Sequence, residues 1–237
     1  MFEDFFIRGT LEMSRSPETV QASASVLWGD ILANRIMICV CVAVFLLALP
    51  AILSILPSVL DCIFRVRAVE SLEHSVSLSR TRNLAAVCLV PPFCLTVNRY
   101  GIYHPSFLDG MAQGAVLAAT FGAIAAFVLI RLLLSLALRS RNLKKDTYDA
   151  SCHALYDIFI PACLLSVACA LAFHAAGLRE EVAQSILTGE IIFFWALALI
   201  RSAQILGSRC DFFTTILYLC ALEILPSALL VASAIYI

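Results

Sequence analysis

The final stretch of the chain, Phe212 to Ile237, constrains its fold more than any other. It reads FFTTILYLCALEILPSALLVASAIYI, with one charged side chain, Glu223, near its middle and Pro226 within a turn of it. A helix of about 20 such residues crosses the hydrocarbon core of a bilayer. A carboxylate at that depth costs at least about 2.5 kcal/mol unless it is paired, protonated or turned toward protein. The rest of the chain must therefore build a bundle that tolerates Glu223.

The composition supports such a bundle. Hydrophobic residues make up 62% of the 237 residues and charged residues 14%, far from the balance of a soluble domain. The excess lies in long uncharged blocks. The expected class is all-α: a polytopic transmembrane helical bundle of about six spans plus one amphipathic interfacial helix. The polar tail 1–30 is set apart from a single transmembrane domain over 31–237. Nothing in residues 1–30 resembles a removable signal peptide, so the first apolar block is expected to act as the membrane-targeting signal.

The spans are expected near 31–55, 84–98, 113–138, 154–176, 182–206 and 212–236. The second is short and holds Pro91-Pro92, which suits either a span or a re-entrant segment. The charge count decides for a span. Six crossings put nine Lys/Arg on the side of the loops at 60–83, 139–151 and 207–211, against five on the other. The positive-inside rule prefers that larger asymmetry. It makes the nine-charge side cytoplasmic and both termini periplasmic, in a bacterial inner membrane.

Between the first two apolar blocks, residues 58–82 alternate in character. Val59, Leu60, Ile63, Val66, Val69, Leu72 and Val76 recur at helical spacing, with charged residues between them. This pattern predicts an amphipathic helix on the membrane surface or against the bundle. Arg65, Arg67, Arg80 and Arg82 would then form a surface for a partner protein or anionic lipid.

The charges inside the apolar blocks are the candidate functional or structural residues: Glu223, Glu190, Arg201, Arg131 and Asp157. Glu190 and Arg201 are eleven residues apart on one face of one helix, too far along the axis to pair. Gly114, Ala118, Gly122 and Ala126 repeat every four residues and would let another helix approach closely. Arg131 lies off that stripe near the end of its span, and is read as snorkelling toward water. Ala162, Ser166 and Ala170 make a second small-residue face.

Ten cysteines occur mostly within apolar blocks, with no Cys-x-x-Cys pair and no Cys/His cluster at zinc spacing. They read as small buried apolar side chains, and no metal or cofactor is expected. No nucleic-acid partner is expected either: the net charge is −1, and the densest basic run, Arg139 to Lys145, is short.

Three places give the chain a resemblance. They are Trp28-Gly-Asp30 before the first span, Thr147-Tyr148 through Asp157-Ile-Phe-Ile-Pro161, and Ile216 through Glu223 to Pro226. Through these the chain resembles an uncharacterised family of polytopic inner-membrane proteins from Bacteroidota, a domain of unknown function. The resemblance implies an inner-membrane location and a helical bundle, and brings no activity with it. Pro91-Pro92 departs from the family pattern.

No enzyme signature is present: no His-Glu-x-x-His, no Gly-x-Ser-x-Gly, no phosphate-binding loop and no dinucleotide glycine pattern. The leading expectation is a non-catalytic component or scaffold of a cell-envelope assembly, with the lipid bilayer and other envelope proteins as partners. A small-solute or ion transporter using intramembrane carboxylates is the alternative, and a lipid-acting membrane enzyme a second one. The oligomeric state is left open.

Overall fold

Apolar runs close their own backbone hydrogen bonds most completely as helices, and this chain follows that rule. The computed structural model describes residues 31–64, 76–108, 110–138, 145–208 and 211–236. Among them are helices α1 (Leu32–Phe64), α2 (Val76–Arg99), α3 (Gln113–Ala137), α4 (Lys145–Ala176) and α5 (Glu180–Gly207), and no strand. A sixth helix, α6, is built from three consecutive pieces. They are an α-helix Phe212–Leu219, a π-helical turn Cys220–Ile224 and an α-helix Leu225–Tyr236. A short 3₁₀ helix, Ser106–Leu108, lies in the loop between α2 and α3.

Five helices (α1, α3, α4, α5 and α6) are long and apolar enough to span a membrane. The protein is therefore an integral membrane protein of the all-α class. The helix α2 is less apolar, yet it runs from one end of the bundle to the other. Just beyond its C-terminus, Tyr100 donates to the Ala170 carbonyl near the end of α4, and Gln184 near the start of α5 donates to the Gly101 carbonyl. Tyr103 and Ser233 share a hydrogen bond at the same end. At the opposite end the Tyr218 hydroxyl donates to the Leu138 carbonyl. The six helices thus alternate in direction, with the start of α1 and the end of α6 at one end. The second helix is a full crossing, and its double proline lies inside it. A proline cannot donate to the carbonyl four residues earlier. The helix nonetheless continues, with Thr96 donating its hydroxyl to the Pro92 carbonyl.

The expected amphipathic segment 58–82 is divided differently. Residues 58–64 continue α1 and 76–82 begin α2, while 65–75 lie outside the described residues, Arg65 and Arg67 among them. The polar tail 1–30 also lies outside.

Helices α2, α4, α5, α6 and α3 pack in that order into a closed ring. Helix α1 lies against α2 and also reaches α3 and α4. The main apolar cluster fills the α1–α2–α4 contact with Ile52, Ile55, Val59, Ala85, Leu89 and Ile160, and Ile205 of α5 joins it. The small-residue face of α4 is used as expected, since Ser166 is buried against α5. The stripe on α3 is not: Gly114, Ala118, Gly122 and Ala126 all face outward. Gly114 meets only the Ala33 side chain of α1, and nothing lies near Gly122.

Candidate functional site

The outward stripe explains why Arg131 was misjudged from sequence. A residue off an outward-facing stripe points inward, and Arg131 is 4% exposed rather than snorkelling. It forms an ion pair with Glu223 of α6. Its guanidinium lies over the Tyr156 ring of α4, 5.5 Å from the centroid. Ser202 of α5 donates to the same Glu223 oxygen at 3.3 Å. Four ring helices thus converge on one buried carboxylate, which answers the demand that Glu223 makes on the fold.

The local structure of α6 follows from Pro226. That residue cannot donate to the Leu222 carbonyl. The backbone widens here, and the Leu225 N–H donates to the Cys220 carbonyl, five residues back. Ser227 then donates to the Glu223 carbonyl at 2.7 Å, and Trp195 of α5 donates to the Ser227 oxygen at 2.9 Å. Single π-helical turns of this kind recur at functional positions in helices.

Next to the ion pair lies a small cleft of about 80 Å³, walled by Arg131, Leu132, Ser135, Cys152, His153, Tyr156 and Leu222. That space suffices for a few water molecules or one small polar group. The Arg131 Nε–H is buried and has no partner in the chain.

A second buried pair joins α2 to α4. Arg82 is fully buried and meets Asp157 at 3.5 Å. It also donates to Ser79 and to Asn83, both at 3.2 Å. This corrects its expected place on a partner or lipid surface: a charged residue on a bundle's inner face shows the same periodicity as one on a surface helix. Arg80, two residues earlier, is exposed as expected.

The remaining candidates stay apart from both pairs. Glu190 accepts from Ser166 at 3.0 Å, and its other oxygen is buried without a hydrogen bond. Arg201 donates to Gln204 one turn along its own helix. Glu190 and Arg201 do not meet, as their spacing requires. Sequence reasoning missed Tyr156, Ser202 and Trp195. Only their placement four or five residues inside apolar blocks hinted that polar groups there need partners. Among the described residues, no three His, Cys, Asp or Glu side chains converge as a metal site would require. Comparison with protein-family models, with curated proteins and with solved structures gives no match to this chain.

Proposed function

We propose that this integral membrane protein is a non-catalytic component of a cell-envelope assembly in a bacterial inner membrane. The single observation behind this reading is that each intramembrane charge singled out from sequence finds a partner within the chain. Glu223 has Arg131 and Ser202, Asp157 has Arg82, Glu190 has Ser166, and Arg201 has Gln204. Charges used in this way fasten helices to one another. The end that carries the basic loops would be cytoplasmic by the positive-inside rule. Membership of the Bacteroidota family belongs to the same proposal, on the residues that resemble it.

Extraction from the membranes of producing cells in a mild detergent, followed by mass determination, tests the reading. A stoichiometric partner is the expected result. Recovery of a lone, monodisperse bundle would reject it.

A small-solute carrier is the second reading, favoured by one specific feature: the buried carboxylate sits on a π-helical turn beside a cleft. Solute uptake into proteoliposomes that disappears with Glu223→Gln, at unchanged protein content, would favour the carrier.

A further inference from the structure

The cleft between α3 and α4 has a level, a donor and a size. Its level follows from the helices that wall it. The apolar stretch of α4 begins at Ser151, so Cys152, His153 and Tyr156 occupy its first two turns. The apolar stretch of α3 ends at Ala137, so Arg131 and Ser135 lie within its last two turns. All of them sit where hydrocarbon gives way to headgroups, at the end of the bundle that carries the basic loop Arg139 to Lys145.

The donor is Arg131. A guanidinium offers five N–H groups in a rigid plane. Glu223 accepts from one terminal nitrogen, and the Tyr156 ring lies beneath the plane. The Nε–H is left buried without an acceptor, a condition native structures avoid unless water or a ligand supplies one. Arginine's planar fork matches phosphate oxygens better than any other side chain does. Because Arg131 and Glu223 together are neutral, a singly charged phosphodiester suits the site better than a dianion.

We propose that this cleft binds a phosphate oxyanion through Arg131, carried either by a phospholipid headgroup or by a free phosphate compound. The proposal does not depend on the assembly reading, since a structural lipid and a transported solute would both use the same donor.

The test uses the full chain in an uncharged maltoside detergent and follows its thermal unfolding midpoint against three probes. They are dihexanoyl phosphatidylglycerol, dihexanoylglycerol (the same chains without phosphate) and inorganic phosphate. A ligand that binds only the folded state raises the midpoint in a saturable way. Phosphatidylglycerol should do so and dihexanoylglycerol should not. Ser135→Leu fills the cleft and leaves the ion pair intact, and should weaken the apparent affinity at least tenfold. Arg131→Lys keeps the charge and loses the Nε–H, and should do the same. An equal shift with inorganic phosphate would support the site and assign it to free phosphate; a shift with the lipid alone would assign it to headgroups. No saturable shift with either phosphate probe, or a shift that Ser135→Leu leaves untouched, would overturn the proposal and leave the cleft to water.

Discussion

Arg82–Asp157 and Arg131–Glu223 are both buried arginine–carboxylate pairs, yet their surroundings differ in kind. The first bridges α2 and α4 within regular helix, next to the main apolar cluster through Ala85 and Ala154. Arg82 takes its other hydrogen bonds from neighbours on its own helix. The second pair draws groups from four helices, sits on a π-helical turn and borders a cleft. In sequence the two acids look alike, each followed by a proline three or four residues on. Around Asp157 the helix stays α, and around Glu223 it widens. The difference teaches that a buried charge can be sealed by packing, or held by a network that leaves an edge available.

Breaking each pair from one side should separate them most strongly. Arg82→Leu leaves Asp157 in a sealed site, and should cost about 3–5 kcal/mol in detergent unfolding experiments. Arg131→Leu should cost less, because water in the cleft can reach Glu223. Equal losses would mean that the cleft is dry.

The next effect is the removal of charge with shape retained. Glu223→Gln leaves Arg131 without its counter-ion and should destabilise by about 2 kcal/mol. Combining it with Arg131→Met should recover much of that loss, since a neutral pair has no ion to strand.

Tyr156→Leu should cost about 1 kcal/mol through the lost ring–guanidinium contact, and the loss should vanish in an Arg131→Met background. Additive losses would show that Tyr156 acts through packing alone. The smallest effect belongs to Glu190→Gln, expected within about 0.5 kcal/mol of the parent. Its amide oxygen can still accept from Ser166. A large change there would show that Glu190 carries charge the bundle depends on.

Much of the fold was legible in the sequence because uncharged blocks report bilayer crossings directly. Five crossings announce themselves in this way, and the sixth emerged from counting Lys and Arg in the loops. What stayed hidden was direction. Helical periodicity says that Arg82 and Val76 lie on particular faces, and it is silent on whether a face meets water, lipid or protein. The stripe Gly114, Ala118, Gly122, Ala126 shows the same weakness. Small residues permit close packing without compelling it, and taking the stripe as inward reversed the sense of Arg131. Glu223 was read more securely, because the cost of a lone buried carboxylate holds whichever way its helix turns. Its partners come from three other helices, and no local pattern could name them.

The widened turn in α6 also has a bearing on how this helix could be altered by mutation. A π-helical turn holds one residue more than the α-helix it interrupts. Deleting a single residue between Cys220 and Ile224 would let the backbone close into uninterrupted α-helix. Everything after the deletion would then rotate by about 100° about the helix axis. Ser227 would swing away from Trp195, and Ser233 away from Tyr103. The extra residue thus works as a phase setter: it lets the first half of α6 face Leu138 while the second half faces the far loop. A one-residue loss at this place should be far more damaging than the same loss near Tyr236, where no such alignment follows.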